Sequence, residues 1–114
     1  MVSALEQVLA ALDAQQVPDR AVLKTAVKES LAALVEIAPG RSVEVRIPPF
    51  AAVQAIPGAT HRRGTPPAVV ETDPVTWVLL CSGRLTWSDA RSSGKVHASG
   101  ERSDLSQWLP LKIA

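Results

Sequence analysis

The 114-residue chain has a single cysteine, no tyrosine and one phenylalanine, and neither sign of charge is in clear excess. One cysteine cannot form an internal disulfide, and it excludes the zinc sites that need several cysteines. Lysine and arginine together number 12 against 11 acidic residues, so the chain lacks the basic excess of most nucleic-acid-binding surfaces. We therefore expect no nucleic-acid partner.

Long apolar runs and secretion signals are also missing. No stretch reaches the roughly 18 apolar residues of a membrane-spanning helix, although the mean hydropathy is +0.13. The N-terminus carries acids and glutamines where a signal peptide has a basic flank and an apolar centre. These absences predict a cytoplasmic protein without a transmembrane segment. The composition, 46% apolar and 20% charged, is typical of one globular domain over residues 1–114.

Residues 1–40 have the periodicity of two amphipathic helices. Apolar side chains recur at three- and four-residue spacing from Leu5 to Leu12 and again from Leu23 to Leu34. A proline–aspartate pair at residues 18–19 separates the two stripes, and a proline–glycine pair at residues 39–40 ends the second. We expect this helical pair to lie on a sheet.

The apolar period changes to two after residue 41. Val43–Ile47 alternates like a strand with one face in water. Residues 50–56 are almost continuously apolar, which predicts a second strand more buried than the first. Prolines 48 and 49 lie between the two and cannot donate to a ladder, so they predict a sheet edge or a bulge. Residues 59–67 have the composition of a loop.

The segment Pro74–Ser82 is apolar on nearly every helical face. Asp73 is a predicted N-cap, the following proline suits the first helical position, and Gly83 is a natural terminator. A helix of this composition must bury both of its sides, one on the sheet and the other on something else.

The other segments of the second half predict a strand before this helix and, after it, a short helix capped by Thr86, a strand and a last helical turn. They are residues 68–72, 87–92, 95–99 and 103–110. The fold class that follows is α+β, with a small, mostly antiparallel or mixed sheet covered by helices.

No catalytic or metal-binding constellation stands out. His61 and His97 have no partner at H-E-x-x-H spacing, and no G-x-S-x-G motif accompanies the scattered serines and acids. Cys81 lies in the apolar helix, where a thiol behaves as a small, inert hydrophobe. We expect no catalytic residue, no metal, no cofactor and no enzymatic activity.

Two features allow both a binding and a structural interpretation. Trp77 and Trp87 are candidates for the lining of an apolar pocket between helices and sheet. The interpretation that the residues alone favour is that both tryptophans belong to the core of a protein with few other large side chains. Arg62 and Arg63 are candidates for an anionic headgroup contact, or else belong to a solvated loop that pairs with acidic residues at the sheet end.

The second half contains an ordered set of features: an aspartate that opens an apolar helix, a glycine that closes it, a short helix, a Gly-Lys-Val strand ending at glycine, and a polar-capped turn of helix. These are Asp73, Gly83 and residues 85–90, 94–100 and 103–109. As a set, across about residues 41–110, they resemble the bacterial branch of the sterol carrier protein family, relatives of the type-2 sterol-binding domain. The N-terminal helical pair is compatible with this resemblance.

The resemblance implies a mixed sheet covered by helices that enclose a tunnel for a sterol, a fatty acid or acyl-CoA. One side of the apolar helix then lies on the sheet, and the other faces the ligand or the side chains that fill the tunnel. The expected lipid-binding residues are Phe50, Val53, Trp77, Leu80, Cys81, Leu85 and Trp87. The expected function is non-catalytic binding or transport of an apolar small molecule. The alternative is an accessory or protein-interaction module with a filled tunnel and no ligand.

Overall fold

The computed structural model describes residues 2–58, 68–100 and 103–111. The predicted loop at 59–67, with Arg62 and Arg63, lies outside the described residues. Within them the chain forms four helices and four strands. In chain order they are α1 (Ala4–Asp13), α2 (Arg20–Ile37), β1 (Val43–Ile47), β2 (Ala51–Ala55), β3 (Ala68–Thr72), α3 (Pro74–Ser82), α4 (Trp87–Ser92) and β4 (Val96–Ser99).

The strands form one mixed sheet in the order β2-β1-β3-β4. The outer pairs, β1 with β2 and β3 with β4, are antiparallel, and the central pair, β1 with β3, is parallel. Val45 of β1 is therefore paired with Val53 on one side and Val70 on the other. This arrangement confirms the α+β class.

The second strand is less buried than the first, so that prediction is wrong. Val43, Val45 and Ile47 of β1 are fully buried, whereas only Ala55 is buried in β2. The reason is position, because β2 is an edge strand and β1 lies between two neighbours. The two prolines form the hairpin turn, closed by a 3.0 Å hydrogen bond from the Phe50 N–H to the Ile47 carbonyl.

Each helix begins after a residue whose side chain acts as an N-cap. Ser3, Asp19, Asp73 and Thr86 precede α1, α2, α3 and α4, and each accepts a hydrogen bond of 3.0 to 3.1 Å from the backbone N–H three residues later. These bonds satisfy donors that have no partner inside the helix. Gly83 ends α3 at φ 82°, in the left-handed region that favours glycine.

Residues 103–111, hereafter the C-terminal segment, contain no helix, which corrects the predicted last helical turn. Residues 106–108 form a hydrogen-bonded turn. The Asp104 carboxylate accepts a 2.8 Å bond from the Ser106 N–H, and the Trp108 N–H donates to the Leu105 carbonyl at 2.9 Å. Leu105 is fully buried, so the chain bends to place it in the core.

Both sides of α3 are buried, as its composition predicts, and both lie against protein. Trp77 and Leu80 join the main core with the inward residues of the sheet. On the other side Val78 packs with Val8 of α1 and Ala26 of α2 in a second apolar cluster. Helix α1 therefore covers the side of α3 that the resemblance assigns to a ligand or to tunnel-filling side chains.

Candidate lipid-binding site

A cavity of about 310 Å³ lies at the corner where α3 gives way to α4 and where the C-terminal segment returns across both. We call it the corner cavity. Gly83 turns the chain out of α3, and Thr86 then begins α4. The position of the corner is therefore set by two residues, a glycine in the left-handed conformation that ends α3 and a threonine that caps α4.

The wall of the corner cavity is largely apolar. Its apolar lining residues are Leu80, Leu85, Trp87, Leu109 and Pro110. Three hydroxyl side chains, those of Thr86, Ser88 and Ser106, complete the lining with Gly83. None of these residues carries a charge, so the surface favours an uncharged, apolar occupant.

The C-terminal segment is fixed to the end of α3. The Leu111 N–H donates a 3.0 Å hydrogen bond to the Cys81 carbonyl, which has no acceptor role left inside the ending helix. Pro110 packs against Gly83 so closely that a Cβ there would lie 3.3 Å from its Cγ atom. The far wall of the cavity is thus held in place by backbone bonding and by close packing.

Three of the seven predicted lipid-binding residues meet in the corner cavity. Leu80 comes from α3, Leu85 from the turn and Trp87 from the first position of α4. Trp87 is 7% exposed, and Leu85 is partly buried. The family resemblance named these three residues, and Trp87 was also a candidate because large aromatic side chains are few in this chain.

Two predicted residues, Trp77 and Cys81, lie in the core and are not among the cavity's lining residues. Trp77 is fully buried, and its indole N–H donates a 2.8 Å hydrogen bond to the Ser30 hydroxyl. Burial raises the pKa of the Cys81 thiol to about 12, against a smaller lowering by a hydrogen bond with Ser30. A thiol with this pKa stays protonated and unreactive at neutral pH.

The last two, Phe50 and Val53, lie elsewhere. Phe50 lines a second cavity of about 340 Å³ at the β1–β2 turn, together with Arg46 and Glu71. The Arg20 guanidinium lies 5.0 Å from the centre of the Phe50 ring. Val53 is partly buried and packs against the main core. The structure therefore does not bring these two residues to the corner cavity.

Sequence reasoning missed the wall that the C-terminal segment contributes. Ser106, Leu109 and Pro110 come from a stretch predicted as a polar-capped helical turn. Its apolar residues have no regular spacing, so no local pattern marks them as a wall. One sequence feature could have indicated this wall. Leu109 and Leu111 flank Pro110, which a helix interior does not tolerate, so these apolar side chains had to pack in some other way.

A polar cavity of about 420 Å³ adjoins the corner cavity, and Ser106 lines both. Asp104, Gln107 and Trp108 contribute to its wall. Hydrogen bonds from Ser106 lower the pKa of the Asp104 carboxyl, helped by the nearby Arg91 charge. The Asp104 carboxylate therefore belongs to the wall of the polar cavity and is not among the lining residues of the corner cavity.

Residues 19–111 match the model of a protein family described as bacterial SCP ortholog. The chain belongs to this family. The match begins at the cap of α2 and ends with the C-terminal segment, so it includes every residue of the corner cavity. Membership confirms the resemblance and indicates a module of the lipid-binding or carrier kind. No curated protein matches the chain.

No helix among residues 2–58, 68–100 and 103–111 combines the length and apolar content that crossing a bilayer requires. The same residues include no cluster of three or more histidine, cysteine, aspartate or glutamate side chains placed to hold a metal ion.

Proposed function

We propose that the chain is a non-catalytic carrier that binds one slim apolar lipid, such as a single acyl chain, in the corner cavity. The observation that carries the proposal is the composition of the wall. Five apolar side chains from three separate parts of the chain converge there, and the other side chains that the structure describes in the wall are hydroxyls without charge. Membership of the SCP family supports the same kind of ligand.

The size of the corner cavity favours an acyl chain over a sterol. Its volume of about 310 Å³ is at the lower end of the roughly 300–1,000 Å³ of small-molecule sites. A flexible chain can follow a narrow space between helix ends, whereas a rigid four-ring skeleton needs a wide one. Because alkyl burial drives such binding, we expect affinity to change little with salt concentration.

A filled cavity tests this proposal directly. Ser88 and Ser92 are both exposed serines of α4, but only Ser88 lines the corner cavity. We expect Ser88→Phe to reduce the affinity for a fluorescent acyl probe at least tenfold and Ser92→Phe to leave it unchanged. Native mass spectrometry of the freshly purified chain would in addition show a co-purified lipid.

The accessory-module hypothesis has one observation in its favour. Trp77, the largest fully buried side chain among the described residues, occupies the region between α2, α3 and the sheet. If acyl and sterol probes give no response and no lipid co-purifies, this hypothesis replaces the carrier. Equal affinities of the Ser88 and Ser92 variants would move the binding site away from the corner cavity.

A further inference from the structure

The indole N–H of Trp87 is a buried donor without an acceptor. Trp87 is 7% exposed, and its Nε1 atom has no hydrogen-bond partner among the described residues. Buried indole N–H groups usually have a partner. Trp77 shows the usual case, because its N–H donates to the Ser30 hydroxyl at 2.8 Å.

The unpartnered donor belongs to a residue that lines the corner cavity. Thr86, a second lining residue, already uses its hydroxyl oxygen to accept from the Asp89 N–H at 3.1 Å. The apolar side chains Leu80 and Leu85 offer no acceptor. Ser88 and Ser106 also line the cavity with hydroxyl oxygens, but neither accepts from Trp87 in the structure, so a molecule in the cavity is a candidate for the missing acceptor.

We propose that the ligand of the corner cavity is a neutral acyl compound whose carbonyl oxygen accepts a hydrogen bond from Trp87 Nε1. This inference rests on the proposed lipid-binding function and adds the polar group of the ligand. The Trp87 nitrogen is covered in the structure. The indole ring therefore has to rotate on binding before its N–H can reach the carbonyl oxygen.

The charge of the site selects an ester, thioester or amide over an ionised fatty acid. Among the described residues that line the corner cavity, none is a lysine, arginine or histidine. A carboxylate placed there would lose its water without gaining a counter-charge, which is costly, whereas a neutral carbonyl loses little. Arg84, whose chain neighbours Gly83 and Leu85 line the corner cavity, is already paired with Asp13, and Asp104 in the wall of the adjoining cavity is itself negative.

Three probes of matched chain length distinguish a neutral carbonyl ligand from an alkane and from an ionised fatty acid. They are methyl pentanoate, heptane and hexanoate at pH 8. Affinities are measured by nuclear magnetic resonance titration of the full chain, following the indole N–H signals. We expect the ester to bind with a downfield shift of the Trp87 N–H signal, heptane to bind without it, and hexanoate to bind more weakly than the ester.

The Trp87→Phe variant removes the donor and keeps an aromatic ring. We expect it to reduce the ratio of ester affinity to heptane affinity by about fivefold to tenfold, the value of one ordinary hydrogen bond. Trp108→Phe is the matched control, since Trp108 lines the adjoining cavity and not the corner cavity. It leaves the ratio unchanged.

The outcomes distinguish this inference from the proposed function. If none of the three probes binds, the lipid-binding function itself is wrong. If ester and heptane bind while the Trp87 signal does not move, the function stands and the role of Trp87 is overturned. A Trp87 signal already shifted downfield without ligand would show that water or a protein oxygen already accepts from the donor, which also overturns it. The wild-type titration decides the matter even if Trp87→Phe fails to fold.

Discussion

Trp77 and Ser30 form a polar link inside an apolar core. The Trp77 indole N–H donates to the Ser30 hydroxyl oxygen at 2.8 Å, and neither residue is more than 1% exposed. The hydroxyl in turn donates to the Val27 carbonyl at 2.9 Å. The pair therefore joins α3 to α2, and both the indole N–H and the hydroxyl hydrogen are donated to an acceptor. This fixes the position of the Trp77 side chain in the core.

Replacing Ser30 by alanine leaves the Trp77 N–H buried and unpaired. We expect the free energy of unfolding to fall by about 1–3 kcal/mol, the cost of an unsatisfied buried donor. Urea denaturation measures the change. Thr25→Ala is the control, because the Thr25 hydroxyl also donates to a carbonyl of its own helix but is exposed, and we expect a change below about 0.5 kcal/mol. Equal effects of the two variants would contradict the role of the Trp77–Ser30 bond.

Asp73 caps α3 with both carboxylate oxygens. One accepts from the Thr76 N–H at 3.0 Å and the other from the Thr76 hydroxyl at 2.5 Å. We expect Asp73→Ala to lower the free energy of unfolding by about 1 kcal/mol and Asp73→Asn, an equally good cap, to lower it less. Thermal and urea unfolding provide the comparison. An alanine variant of full stability that no longer binds lipid would assign Asp73 to a binding site instead.

The ends of the helices could be predicted because the residues that set them are close in sequence. Asp73 finds its partner three residues on, and Gly83 needs only a left-handed backbone to end the same helix. The C-terminal segment shows the limit of such patterns. Asp104 looks like a cap, but burial of Leu105 in a core made by other elements bends the chain into a turn.

The site could be predicted only in part for the same reason. Leu80, Leu85 and Trp87 lie within eight residues of one another, in the part of the chain where the ordered features of the family resemblance are found. Pro110 reaches them through a fold of the chain that no local spacing encodes. Trp77, ten residues before Trp87, has a similar sequence environment, but its partner Ser30 is 47 residues away and holds it in the core.

The Cys81 thiol makes the stability of the fold sensitive to alkaline pH. Burial raises its pKa from 9.0 to about 12. The unfolded thiol therefore ionises first, so stability is fully present below about pH 9 and decreases between about pH 9 and 12. We expect wild type to lose more stability than Cys81→Ala between pH 8 and about pH 10, measured by urea unfolding. A parallel loss in both proteins would show that other groups cause it.

Leu80 and Leu31 provide a matched test of the corner cavity. Both are 1% exposed, but Leu80 lines the cavity, whereas Leu31 packs inside the main core. A leucine beside an existing void has fewer contacts to lose. Within the roughly 2–5 kcal/mol span of Leu→Ala changes, we expect Leu80→Ala near the lower end and Leu31→Ala near the upper end, by urea unfolding. The larger cavity of Leu80→Ala would also raise the affinity for a sterol probe relative to an acyl probe, while Leu31→Ala leaves that ratio unchanged. A loss for Leu80→Ala as large as that for Leu31→Ala would mean that Leu80 is packed on all sides and that the cavity is not open beside it.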